Sequence, residues 1–392
     1  MKAFLNNSIA LFLLLCIVFI PLNFDGEGLQ LQITQFLFHD FIAFFQNNFL
    51  ENALKKIDFS SDTISLNLLV ILLFIIAVII VFILQRINFK NQNFIAVSRT
   101  ILVYYLAYIL LKYGFDKIFK AQFYLPEPNI LNSKFGDLSR DILYWSTIGT
   151  SRYYSISLGI IEVFTAILLL INRTRIFGLL LAIGVFANIV LVNFSFDISV
   201  KTFSTLLLAI TVFVAFPFLK TFYKFFIQRK EVSLPSYYFY LIKERGTRNA
   251  VKFFVIGLIF IQILLPYVES QNFNDDNFSR PFLHGSYQVI HSNQKKSNFQ
   301  VTHFYIHRKN YLILENQTGK RIDYFIEINQ FKKQIKLIDY NLKTQLVTFN
   351  YNKKDSVLRL QFHDFEIISK AINWRKLKVL KNDFHWTIDE MK

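Results

Sequence analysis

Apolar residues gather in seven long runs, at about 8–22, 66–85, 97–114, 155–171, 175–196, 202–219 and 252–268. Each approaches the ~20 residues that a helix needs to cross the hydrocarbon of a bilayer. The run from Leu66 to Leu84 has no ionisable residue at all. After Tyr267 the rhythm changes to short alternating runs at 300–306, 311–314, 322–328, 334–338, 345–349 and 357–362. Alternation with period two puts apolar side chains on one face of a strand. The intervening stretches, such as Asn316 to Lys320 and Asn350 to Asp355, are rich in Asn, Asp, Gly and Lys. Strands spaced by about ten residues predict an antiparallel meander, sandwich or small barrel. The pattern divides the chain into two N-terminal spans with an outer loop (1–93), four spans (94–217), a basic segment with the last span (218–268) and a β-rich domain (269–392). The predicted fold class is mainly α: a polytopic membrane helical bundle of about seven spans with a C-terminal soluble β-rich domain.

Composition agrees, since the 392 residues are 53% hydrophobic and only 18% charged. A soluble domain has about 45–50% and 25%. One cysteine, Cys16, excludes an intramolecular disulfide framework and a CxxC redox pair. The first run has the thin basic start of a signal peptide, Lys2, but no small-residue cleavage pattern follows Ile20-Pro21-Leu22-Asn23, so an uncleaved span is expected. A lipoprotein reading of Cys16 fails because Leu13-Leu14-Leu15 precede it.

Net charge is +16, and its distribution predicts an orientation. With the N-terminus inside, the inner segments of 1–268 hold fourteen Lys or Arg against two acids, Glu231 and Glu244, whereas the outer loops and span interiors hold nine basic residues and twelve acids. That asymmetry follows the positive-inside rule and places the β-rich domain outside, in a bacterial periplasm. The segment 218–252 interleaves aromatic and basic residues, as a polyanion-binding surface would. A cytoplasmic loop whose lysines meet anionic headgroups explains the same pattern, so the lipid bilayer is the expected partner and nucleic acid is not.

Polar groups inside spans are costly and usually have a task. Tyr104, Tyr108, Lys112 and Asp116 recur every four residues and form one stripe on the third span. The fourth span carries Glu162, about 10 Å from its outer end at 1.5 Å per residue. The fifth carries Asn188 and Asn193 and runs into Asp197 and Lys201. All are expected in the outer half of the membrane. Each also has a plain structural reading: snorkelling lysines, an Asp197–Lys201 pair, asparagines joining helices. A carboxylate at Glu162 must be neutral or paired. Gly159, Gly178 and Gly184 read as close helix packing.

In the tail, His303 and His307 stand four apart, which on a strand separates them by about 13 Å and precludes a shared metal without other ligands. His363-Asp364 has the form of a ligand with its orienting carboxylate, but no second pair stands near it. Trp374 and Trp386 are expected as core or rim aromatics, and no metal site is predicted. Spans two to seven contain no histidine, which excludes bis-histidine haem in the bundle, and the chain has neither a dinucleotide fingerprint nor a P-loop. No covalently bound or metal-held cofactor is expected, and if the chain does redox chemistry its electrons come from a freely bound quinone or from a partner protein.

The block 94–217 resembles the DoxX family of bacterial membrane proteins, in its long form with a C-terminal extension. The matching residues are Ser98-Arg99, then Tyr113-Gly114-Phe115-Asp116-Lys117-Ile118-Phe119, Gly159-Ile160-Ile161-Glu162, the turn Arg173-Thr174-Arg175, and Asn193 to Lys201. Phe384-His385-Trp386 looks like the tail of the longer relatives. The resemblance implies a four-helix membrane core and an association with quinone-linked oxidoreductase complexes or redox-stress assemblies. It carries over Arg99, Lys112, Asp116, Glu162, Asn193, Asp197 and Lys201 as family polar positions. The first expectation is a quinone-linked inner-membrane subunit: Glu162 exchanges a proton, and Arg99, Tyr108, Lys112, Asp116, Asn188, Asn193, Asp197 and Lys201 hold the headgroup. The second is a non-enzymatic anchor or assembly protein that offers a periplasmic β-domain to a redox or other periplasmic protein partner. A transporter finds no support in repeats or broken spans.

Overall fold

The computed structural model describes residues 2–21, 28–49, 56–87, 93–233, 239–240, 242–294, 299–381 and 386–387. In chain order its α-helices are α1 (Lys2–Phe19), α2 (Leu29–Phe49), α3 (Ile64–Arg86), α4 (Phe94–Ile118), α5 (Pro128–Leu131), α6 (Arg140–Thr150), α7 (Arg152–Leu170), α8 (Arg175–Ser195), α9 (Lys201–Phe222) and α10 (Arg245–Ser270). Eight strands follow: β1 (Gly285–Ser292), β2 (Val301–His307), β3 (Tyr311–Asn316), β4 (Arg321–Asn329), β5 (Gln334–Ile338), β6 (Thr344–Asn352), β7 (Val357–Gln361) and β8 (Glu366–Ile372). Seven of the described helices, all but α2, α5 and α6, are long and apolar enough to cross a membrane. The chain is a multi-pass membrane protein.

Two compact units divide the chain. The first comprises residues 1–118 and 157–271, and the second residues 119–156 and 272–392. Residues 119–156, inside the block predicted as membrane core, thus pack with the C-terminal domain.

In the helical unit, α4 is the central element, with Leu102, Val103, Leu106, Ala107, Leu110 and Leu111 fully or almost fully buried. α4 and α7 cross at a pair of glycines, Gly114 and Gly159. A Cβ on Gly159 would lie 2.5 Å from the Gly114 carbonyl oxygen, so only glycine lets the two backbones approach this far. Gly178 also packs tightly, a Cβ there lying 2.9 Å from Leu169 N, but Gly184 has nothing within 4 Å. The close-packing expectation is therefore corrected at Gly184, which faces open space. The loop predicted between the first two spans contains α2, whose Phe36, Phe41, Phe44 and Phe49 are exposed. Its polar face serves α1: Gln30 Nε2 donates to the Ile20 carbonyl at 2.8 Å and Thr34 Oγ1 to the Phe19 carbonyl at 2.8 Å. These bonds satisfy carbonyls that a helix end leaves without intrahelical partners.

In the second unit the eight strands close into an antiparallel up-and-down barrel, with β1 paired to β8. Closure removes the exposed edges that an open sheet would present. The interior is filled with apolar side chains, among them Tyr287 stacked on Phe304 at 4.8 Å, with Ile306, Leu312, Ile335, Val347, Leu358, Leu360 and Ile367. An eight-stranded barrel is just wide enough for such filling. β1 and β8 lie outside the predicted strand set. They turn Ser286 and Ser369 into buried positions, so apolar alternation is broken in both. Trp374 is buried and Trp386 exposed, while His385 lies outside the described residues.

Candidate functional site

The α4–α7 crossing sets the main polar contact of the helical unit. Lys117 Nζ donates to Glu162 Oε2 at 2.7 Å, and their side chains are only 8% and 6% exposed. One turn earlier on α4, Lys112 Nζ donates to Asp116 Oδ1 at 2.8 Å, and the Tyr267 hydroxyl of α10 donates to the same carboxylate. At the α8–α9 turn Lys201 Nζ lies 2.7 Å from Asp197 Oδ1. Asp62, before α3, accepts the backbone N–H groups of Lys201 and Thr202 at 2.6 and 2.8 Å. This places a negative charge at the start of α9, where the helix dipole and unbonded N–H groups favour it. Lys117 and Asp62 were not among the sequence-predicted residues, and they complete two of these groups.

The remaining predicted residues do not join this cluster. Arg99 is buried near the start of α4, its guanidinium 5.5 Å from the Phe213 ring. Thirteen residues separate it from Lys112, or about 20 Å along a helix. Tyr108 packs against the helical core, Asn193 is buried and Asn188 is exposed. Tyr104 belongs to the other end of the stripe, where it lines a cavity with Arg175. The expectation that the whole stripe shares one depth is thus corrected. A straight helix of this length carries one side-chain row along most of its axis.

A second cluster, which the sequence reading missed, lies in the barrel-containing unit. Glu127, held between Pro126 and Pro128, is 4% exposed. Its Oε2 lies 2.8 Å from His284 Nε2 and 3.9 Å from His307 Nε2, and it accepts the Arg308 backbone N–H at 3.1 Å. Arg308 forms a bidentate pair with Asp275, both bonds 2.7 Å, and stacks 4.3 Å from the Tyr124 ring. Arg280 adds a third bond to Asp275 at 2.8 Å. Lys120, fully buried, donates to the Gly149 carbonyl at 2.7 Å. The available signal was the rigid Pro-Glu-Pro triplet beside an aromatic residue, Tyr124. The partners lie more than 150 positions away, beyond the reach of local spacing.

Burial pushes the Glu127 carboxyl up, but the hydrogen bond and charge of His284, the charge of His307 and the Arg308 N–H outweigh it and hold its pKa below the ordinary value. Burial lowers the pKa of His307, partly opposed by Glu127. Beside these groups is a cavity of about 240 Å³ lined by Gln122, Tyr124, Glu127, Asn129, Trp145 and His307, among others. Two lining oxygens, Gln122 Oε1 and Asn129 Oδ1, are buried and accept no hydrogen bond among the described residues. Buried polar atoms are nearly always paired, so such orphans mark a place for a ligand or water. Among the described residues no group of three or more His, Cys, Asp and Glu is arranged to hold a metal ion, and His363 bonds Asp364 in an exposed turn.

No protein-family model matches the chain, and no solved structure matches it. It is similar to YwoB of Bacillus subtilis (strain 168), described as an uncharacterized protein. The two are 34% identical over 104 residues, which is 26% of this chain and 66% of that protein, slightly under two thirds of its length.

Proposed function

We propose that the protein is a bacterial inner-membrane anchor, DoxX-like in its four-helix core, that carries an extracytoplasmic recognition unit. In this reading the N-terminus is cytoplasmic, and the 119–156 and 272–392 segments face the periplasm. The observation that carries it is the contrast between the two polar clusters. In the helical unit Asp116, Glu162 and Asp197 each have a cation as partner. In the other unit a cavity of about 240 Å³ presents two unpartnered acceptor oxygens beside Trp145. Acceptors of that kind take a hydrogen-bond donor. A carboxylate wall at Glu127 disfavours an anion, so the ligand class is a small, uncharged, hydroxyl-bearing molecule or a hydroxyl-bearing residue of a partner.

The test is saturable quenching of tryptophan fluorescence in the purified full-length protein, titrated with uncharged polyols and monosaccharides. Saturation that Asn129→Leu abolishes, with the melting temperature kept, supports the reading. No saturation with any of these probes overturns the ligand class.

One observation favours the quinone-linked reading. The Tyr105 hydroxyl on α4 is buried and bonds to no described residue, and a phenol O–H is a suitable donor to a quinone carbonyl. In that reading Glu162 exchanges the proton while Lys117 balances its charge. Against it, the cavity beside Tyr113 and Asp62, toward the Lys117 end of α4, has only about 60 Å³, a quarter of the 240 Å³ beside Glu127. Quinone that co-purifies in mild detergent and is lost in Tyr105→Phe would establish this second reading; a quinone-free preparation that menaquinone and ubiquinone do not stabilise would sink it.

A further inference from the structure

The helical unit has a second cavity, of about 420 Å³, at the end where α4, α8 and α10 begin or run close to their beginnings. Its lining holds three cations, Arg175, Arg248 and Lys252, and no carboxylate. Arg248 and Lys252 are four residues apart on α10 and therefore share one helical face. Arg175, the first residue of α8, is 3% exposed and fixed in place. Its Nε donates to the Leu169 carbonyl at 2.8 Å, and its guanidinium lies 4.7 Å from the Phe239 ring and 6.0 Å from that of Tyr104. Among the described residues no carboxylate lies within ion-pair distance of any of the three. Glu244, near in sequence, accepts from Thr247 Oγ1 instead.

Three like charges around one partly buried cavity repel each other in a medium that screens poorly, and the fold gains nothing from their convergence alone. An anion between them removes the repulsion. The rest of the wall says what kind of anion. Ile101 and Val251 line the same cavity and are 45% and 44% exposed, and on α10 Phe254, Leu258 and Ile261 extend the exposed apolar surface. A ligand with an anionic head and apolar chains meets both parts at once. Basic pockets between membrane helices hold lipid phosphates in this manner. Arginine supplies a planar fork for phosphate oxygens, and lysine a compact point charge.

We propose that this cavity binds the phosphate of an anionic membrane phospholipid, with the acyl chains lying along α10. The site is independent of the extracytoplasmic cavity, so either can fail without the other. The full-length protein in detergent would be titrated with phosphatidylglycerol, with phosphatidylcholine of the same chains and with glycerol 3-phosphate, and bound species counted by native mass spectrometry. The expected result is at least tenfold tighter retention of phosphatidylglycerol than of phosphatidylcholine. The double variant Arg248→Gln, Lys252→Gln loses that preference while its lipid-free melting temperature is unchanged or higher, since it removes like-charge repulsion. Equal retention of the two lipids, or a preference that survives the double variant, overturns the proposal. Glycerol 3-phosphate binding as tightly as phosphatidylglycerol also overturns it, and assigns the site to a soluble phosphate ester.

Discussion

The Lys117–Glu162 pair allows a quantitative test of whether the bundle's carboxylate is structural. At 2.7 Å and an effective dielectric constant of ~20, the Coulomb attraction is about 6 kcal/mol. Removing the two ions from water costs several kcal/mol each, so the intact pair contributes little net stability. Breaking it is different, because the surviving charge stays buried without a partner. Glu162→Gln and Lys117→Met should each destabilise the helical unit by about 3–5 kcal/mol, while the double variant should fall within about 1–2 kcal/mol of the parent. Reversible unfolding of the full-length protein in mixed micelles, followed by circular dichroism against the mole fraction of denaturing detergent, measures all four corners of the cycle. Additive losses in the double variant would refute a coupled buried pair, and single losses below ~1 kcal/mol would show that the site is wet. A double variant that is stable but inactive in cells would move Glu162 from structure to function.

Two further predictions concern packing and pH. Gly159→Ala drives a methyl into the Gly114 carbonyl and should cost about 1–3 kcal/mol, whereas Gly184→Ala, in open space, should be neutral or stabilising by about 0.5–1 kcal/mol; the same unfolding assay compares them. For the barrel-containing unit, stability should fall as pH drops. His307 has a lowered folded pKa, so the unfolded chain takes up its proton first once pH falls below the ordinary 6.5. Glu127 has a lowered folded pKa, so its contribution is present above the ordinary 4.5 and is lost as pH falls through the folded value. The exposed His363 is raised by Asp364 and works weakly the other way. Near-UV circular dichroism melts at pH values above 6.5 and below 4.5 should show the midpoint falling with acid, and a midpoint that rises or stays flat contradicts the assignment.

Much of the architecture was legible in order of residues alone, because membrane spans and half-buried strands each write a period into the chain. The α3 run from Leu66 to Leu84 needs no partner to declare itself. β2 to β7 alternate because one face of each meets an apolar interior. β1 and β8 were hidden, since Ser286 and Ser369 occupy buried positions where the pattern calls for apolar residues. Helix α2 was hidden for a related reason: its glutamines and asparagines interrupt a phenylalanine-rich run that is too polar for a span.

The candidate sites divide in the same way. Sequence alone determined the number of membrane-crossing runs, the asymmetry of charge along them and the presence of costly polar groups on α4 and α7. Those are properties of composition and periodicity, which act over a few residues. The Asp197–Lys201 pair follows from i,i+4 spacing, but only the tertiary structure decided which groups remote in sequence pair with each other. Glycines at 114 and 159 bring two helices close enough for Lys117 to neutralise Glu162. Folding brings Glu127 to His284 and Arg308, and gathers Arg175, Arg248 and Lys252 around one cavity. Charges and hydrogen bonds depend on distance in space, and distances between remote segments are set by packing, which no local pattern records.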